Sequence, residues 1–321
     1  MCRSPLTVRL LLPLIAIAMS SLAAPTVRAQ TPLKVVTSAP DYASLAELVG
    51  GDQVKVASLT NGAENIHNVV ATPSKMLDLR DADLFIHTGL DLELWVPDIV
   101  KGSRNPKIQE TKAGNVDCSK KIKLKEIPQE LSRAQGDIHI YGNPHYMLDP
   151  VNHILVAQTI RDALKAARPD KASYFDERYK EFEDRMKKKL IEWVVKMKPF
   201  KGAKVAGYHN VMPYFIDRFG LEMIGFIEEK PGISPGPSYI AKFIDRMKES
   251  GTKVILVNTW AERQTVDAVA RAAGAETVVF PEWVRGVPET ADVFALFDYR
   301  VNSIVAALEK AAKPESASES K

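Results

Sequence analysis

Cysteine is almost absent from the 321 residues: Cys2 and Cys118 are the whole supply. Cys2 lies in an amino-terminal stretch that reads as a cleaved secretory signal. That leaves Cys118 alone and excludes an internal disulfide from the mature chain. The fold must stand on its core. Long apolar runs are absent after residue 29, so no later segment is expected to cross a membrane. An excess of charge of either sign is missing as well. The 43 basic and 40 acidic residues leave +3, and residues 1–29, with Arg3, Arg9 and Arg28 and no acid, carry off all three charges. A neutral exported chain is a poor candidate for nucleic acid, which demands a basic face. The HExxH pattern of a zinc protease is missing too.

What is present starts with that signal. Arg3 and Arg9 precede the short apolar run LLLPLIAIAMSSLAA, and Val27-Arg28-Ala29 stands ahead of Gln30. A spanning helix needs about 20 residues, and no cysteine follows the run to take a lipid. A cleaved signal over 1–29 and a soluble periplasmic protein are the expectation.

The rest of the chain alternates apolar strands with amphipathic helices. LKVVTSA, QVKVASLT and ADLFIHTG read as strands, with helices at Tyr42–Val49, TPSKMLDLRDA and LELWVPDIV. Residues 103–142 are polar, lysine-rich and irregular. Asp149 and Pro150 cap a helix that runs to about Arg168. Then Phe175, Tyr179, Phe182, Met186, Leu190, Trp193 and Met197 recur at three- and four-residue steps. They predict one amphipathic helix of about 28 residues, roughly 40 Å long. Strands KVAGYH, LEMIGFIE, KVILVNTW and ETVVFP alternate with helices in a second run, and a last helix lies within Ala291–Lys313. The expected fold is α/β: two lobes, each a mostly parallel sheet flanked by helices, bridged by one long rigid helix. The expected divisions are a lobe over 30–168, a linking helix over 169–199, a lobe over 200–313 and a disordered tail over 314–321. Ligands in such folds collect beyond the carboxyl ends of strands, here in the cleft between lobes.

Six histidines carry the candidate chemistry. His67, in NGAENIHNVV, His145, in GNPHYMLDP, and His209, ending KVAGYH, all lie where a loop leads into a helix. They are 78 and 64 residues apart, two in the first lobe and one in the second. Each alone reads as a satisfied loop histidine; together they suit zinc, with a fourth position for a carboxylate or water. His87 reads as a core histidine bonded to backbone, His139 as a surface residue near the site, and His153 as structural.

The chain resembles the zinc- and manganese-binding receptors of ABC metal importers, the cluster A-I substrate-binding proteins. GAENIHNVVATPSKMLDLRDADLFIHTGLDLELW, GNPHYMLDPVN and GYHNVMPYFIDRFGLEMIG with EEKPGISPGPS carry the resemblance. It implies that His67, His145 and His209 bind the metal, and that two α/β lobes are bridged by a rigid helix. It also implies delivery to a membrane permease. The family's usual fourth ligand is a carboxylate near the end of the last strand of the second lobe. There this chain has Phe280 or Pro281, and Glu282 is the nearest acid, so Glu282 or water completes the shell. Taken alone, Glu282 reads as a surface glutamate. The family's long histidine-rich loop is reduced here to residues 103–142 with His139 alone. Three imidazoles favour Zn2+ over Mn2+, which prefers oxygen ligands and, in the manganese receptors, commonly has an acid at the place of His209. A monomer that hands metal to an ABC permease is the expected assembly. The rivals are a three-histidine zinc hydrolase, a surface adhesin and a metal chaperone. Gly232-Ile233-Ser234-Pro235-Gly236 matches a nucleophile elbow in letters, but Pro235 has no N–H for an oxyanion hole. It reads as a rigid loop between lobes, and no enzyme is expected.

Overall fold

The computed structural model describes Met1 and residues 31–129 and 139–313. The rest of the expected signal and the expected tail over 314–321 lie outside the described residues. Among the described residues eight strands and nine α-helices follow in order: β1 (Leu33–Thr37), α1 (Pro40–Gly50), β2 (Val54–Ser58), α2 (Pro73–Leu79), β3 (Leu84–His87), α3 (Val96–Ser103), β4 (Asn115–Asp117), α4 (Pro150–Ala167), α5 (Ala172–Met197), β5 (Lys204–Gly207), α6 (Pro213–Phe219), β6 (Glu222–Phe226), α7 (Pro237–Glu249), β7 (Val254–Val257), α8 (Arg263–Ala273), β8 (Glu276–Val279) and α9 (Val293–Ala312). They form two four-stranded sheets, ordered β2-β1-β3-β4 and β6-β5-β7-β8. Every pairing is parallel. The two-lobe α/β architecture expected from the alternation is the one found.

Local chemistry explains the boundaries. Thr72 and Asp149 cap α2 and α4 with their side chains, each followed by proline at the first helical position. α1 begins earlier than the apolar periodicity suggests, because Pro40 takes its first turn. α3 begins later, at Val96, with Pro97 in its first turn. β4 was not expected. It is three residues of Asn-Val-Asp inside the polar segment, too short and too polar to announce itself. Gly232–Gly236 lies between β6 and α7, within the second lobe rather than between lobes.

The long helix is α5, 26 residues and about 39 Å at 1.5 Å per residue. Six of its seven periodic apolar residues are buried, and Leu190 is partly so. It packs against α1 and α4 on one side and α9 on the other. Trp193, fully buried, donates from Nε1 to Asp298 Oδ1 at 2.8 Å. Arg178 Nε reaches the Leu48 carbonyl at 3.0 Å. One core therefore runs through both lobes by way of α5, and a smaller one covers the far face of the second sheet. Direct ties add to it. Arg218 on α6 grips the Asp149 carboxylate with two bonds of 2.8 Å, and Tyr214 Oη donates to the Asn143 carbonyl at 2.9 Å.

Replacing Trp193 with alanine removes a filled volume and a hydrogen bond from the helix that joins the lobes. We expect a loss of about 3–5 kcal/mol in urea unfolding. A loss under about 1 kcal/mol would contradict the joining role.

Candidate metal centre

His67, His145 and His209 meet. Each offers one ring nitrogen, and these nitrogens all lie within 4.8 Å of one another. The Nε2 atoms of His67 and His145 are 3.2 Å apart. A tetrahedral shell with bonds of 2.0–2.1 Å separates its nitrogens by about 3.4 Å, so the spacing needs little adjustment to take an ion. His67 and His209 follow strands β2 and β5, and His145 lies on the loop that enters α4. His67 lies on a single 3-10 turn, Ile66–Asn68, after β2, where the Asn65 side chain accepts its backbone N–H. His145 precedes a buried 3-10 turn, Tyr146–Leu148, that runs into α4. His209 follows β5.

Neighbouring polar groups fix two of the rings in the ligand tautomer. Asn143 donates from Nδ2 to Glu126 Oε2 at 2.9 Å and to the Asn210 carbonyl at 3.1 Å. Its Oδ1 therefore faces His145 and accepts from that residue's backbone N–H and Nδ1–H, both at 3.0 Å. His209 Nδ1–H donates to Glu228 Oε2 at 2.6 Å. Both rings thus turn a lone pair on Nε2 inward, the arrangement that metal-binding histidines adopt. With the His145 Nε2 lone pair turned inward, His67 Nε2–H is the donor across their 3.2 Å contact.

A carboxylate joins them. Glu282 is 2% exposed, and its Oε1 stands 3.6 Å from His145 Nε2 with no hydrogen-bond partner. Oε2 takes the Trp260 indole N–H at 3.3 Å. The surface glutamate expected from the sequence is instead among the most buried acids in the chain. Glu93 shows the contrast. That buried carboxylate receives Ser38 Oγ, Thr88 Oγ1 and Thr88 N on one oxygen, at 2.6, 2.6 and 3.0 Å.

The other histidines divide. His139 is no isolated surface residue: its ring stacks on His67 at 5.2 Å, and its Nδ1 faces Asp91 Oδ1 at 3.1 Å. His87 is held by the Asn115 side chain at 2.8 Å rather than by backbone, and stacks on Phe85. His153 is buried on α4 with Nδ1 toward the Asp149 carbonyl. Cys118 is buried and unpaired, its thiol pushed well up by burial and by Asp117 and Glu93; such a thiol is inert. Sequence reasoning missed Asn143 and Glu228 as orienting partners, although both lie inside the motifs GNPH and IEEKPG.

The fold and this cluster define a metal-binding substrate-binding protein of the cluster A-I type. A family model described as zinc-uptake complex component A, periplasmic (ZnuA) matches residues 35–307, and the chain belongs to that family. It is similar to the zinc-binding protein AdcA of Streptococcus pyogenes serotype M6, 25% identical over 263 residues, which cover 79% of this chain and 51% of AdcA. It thus spans about half the length of the first of the curated relatives it matches. It is also similar to the manganese-binding lipoprotein MntA of Halalkalibacterium halodurans, 24% identical over 76% of this chain and 77% of that one. In structure it resembles a ZnuA deletion mutant with zinc bound, at TM-score 0.74 and 21% identity, covering 88% of this chain and 100% of that one. FpvC of Pseudomonas aeruginosa in complex with Mn2+ gives TM-score 0.73 and 20% identity, with the same coverage. These structural likenesses concern the fold.

Burial lowers the ring pKa values. His67 falls from its ordinary 6.5 to about 3, through burial and then through His209 and His139. His145 falls well below 6.5, through burial and then through His67, His139 and His209. The unfolded chain takes these protons near 6.5 while the folded chain does not, so it binds more protons below 6.5, for His67 down to about 3. Stability of the metal-free protein therefore falls as pH drops from 6.5 toward 3, by up to about 1.4 kcal/mol per pH unit for each ring. Melting temperatures should follow that slope, and His67→Gln with His145→Gln should flatten it. An unflattened slope in the double variant would contradict neutral rings in the folded site. Metal binding should likewise persist below the pH 6.5 at which an unperturbed histidine loses it.

Proposed function

We propose that this protein is an extracytoplasmic receptor that captures Zn2+ with His67, His145, His209 and Glu282 and delivers it to the permease of an ABC importer. The carrying observation is the buried Glu282 oxygen that meets no donor and faces three converging imidazoles. A buried carboxylate in that condition is costly, and a divalent cation at the centre relieves it. Three nitrogens and one oxygen form a zinc shell; Mn2+ asks for more oxygen. Family membership supports the zinc reading.

The bound ion is cargo. The lone pairs on His145 and His209 are set in advance, so capture needs only displacement of the proton on His67. His67 retains exposure while His145 and His209 are buried, so the ion enters and leaves on the His67 side. With α5 and the Arg218–Asp149 pair joining the lobes, loading alters loops more than lobe angle. We read 30–168 and 200–313 as the lobes, 169–199 as the link, and 1–29 as a signal removed on export to the periplasm. We read the receptor as a monomer and not as an enzyme; Ser234, its only elbow-like serine, is followed by Pro235.

Zinc titration of metal-free protein tests the site. His145→Ala and His209→Ala should each weaken binding by 100-fold or more, and Glu282→Ala by about 10- to 100-fold, by analogy with losses around metal sites. Variants that hold zinc at wild-type affinity would sink the assignment. Zinc should also outcompete manganese for the wild-type site.

A further inference from the structure

Glu282 lies in the connection from β8 to α9, outside any strand or helix that could hold it. Two buried charged side chains hold the loop instead. Arg300, on α9 and fully buried, donates from Nε to the Pro281 carbonyl at 2.9 Å and from Nη2 to the Glu282 carbonyl at 2.7 Å. Asp41, on α1 in the first lobe and also fully buried, accepts the Val284 N–H on Oδ2 at 2.7 Å. Gly62 backs the same loop from the first lobe. A Cβ there would lie 2.1 Å from the Val284 carbonyl oxygen and 2.4 Å from Gly286 N, so a larger residue must displace the loop. Backbone atoms on both sides of the Glu282 side chain are thus gripped, from α9 on one side and from the first lobe on the other.

These groups are an expensive way to hold a loop if stability were the only end. Buried ions cost several kcal/mol to desolvate, and apolar residues of similar volume commonly serve as well or better. Arg300 Nη1 and Asp41 Oδ1 have no hydrogen-bond partner among the described residues, Asp41 Oδ1 standing 3.5 Å from the buried His153 Nε2. Burial lowers Arg300 to about 10, against the pull of Asp41 and Glu282, so the guanidinium stays charged at neutral pH.

We propose that Arg300, Asp41 and Gly62 are positioning residues for the metal centre. They fix the Glu282 carboxylate beside His145 before the ion arrives, so that its free oxygen completes the shell without reordering the loop. This rests on the reading of His67, His145, His209 and Glu282 as ligands. The arrangement also makes the fourth ligand depend on docking between lobes, because Asp41 and Gly62 belong to one lobe and Glu282 to the other.

The test is titration of Zn2+ and Co2+ into wild type, Glu282→Ala, Arg300→Lys and Gly62→Ala, and into Glu282→Ala combined with each of the last two. We expect Arg300→Lys and Gly62→Ala each to weaken Zn2+ binding about 10- to 100-fold and to move the Co2+ visible band toward that of Glu282→Ala. The combined variants should bind no more weakly than Glu282→Ala alone. Gly62→Ala leaves both charged groups in place and serves if Arg300→Lys does not fold. A wild-type Co2+ band and affinity in Gly62→Ala, or losses that add to that of Glu282→Ala, would overturn the proposal. His145→Ala at wild-type affinity would instead overturn the site on which it rests.

Discussion

A carboxylate oxygen that meets no donor, buried where two lobes join, constrains the rest of the structure. The Glu282 side chain is 2% exposed, and burial pushes its pKa up while His209, the Trp260 indole and Arg300 pull it back. Left alone, such a group costs stability. The same chain satisfies the buried Glu93 with three donors on one oxygen, so the deficit at Glu282 is local. Around it burial lowers the pKa values of His67 and His145 and holds those rings neutral, which raises the gain from a cation. Binding strength and marginal local stability come from the same desolvation.

Rigid joining makes that arrangement durable. Ligands from two lobes keep a common geometry only if the lobes do not wander. The apolar stripe of α5 merges both lobes into one core, and the bidentate Arg218–Asp149 pair ties α6 to the cap of α4. Asp149 serves twice, as the cap of the helix that follows His145 and as the partner of Arg218. The loop GNPHYMLDP therefore transmits lobe position directly to the His145 ring. The orienting amide of Asn143, two residues before His145, extends the same link to Glu126 and Asn210.

Much of this was legible in the sequence because it is periodic or capped. The stripe from Phe175 to Met197 foretold α5, the Thr72-Pro73 and Asp149-Pro150 pairs foretold two helix starts, and placement on loops that lead into helices singled out His67, His145 and His209. What was not legible depends on contacts between distant segments. β4 exists because Asn115–Asp117 pairs with β3, not because of its own composition. Glu282 looks like a surface acid until α9 and α1 close over its loop. His139 comes against His67 across a long polar connection whose course carries no periodicity. The orienting role of Glu228 comes from the fold, which brings it to His209 from 19 residues away, and that of Asn143 from the bonds that turn its Oδ1 toward His145.

The most direct test of the central claim is the coordination of zinc in the loaded protein, by X-ray absorption on wild type and Glu282→Ala together with a crystal structure. The account predicts three imidazole nitrogens at about 2.0–2.1 Å and one Glu282 oxygen at about 2.0–2.2 Å in a tetrahedral shell, with the oxygen scatterer changed in the variant. A shell that lacks any of His67, His145 or His209, or one in which water stands where Glu282 should while its carboxylate stays turned away, would contradict it.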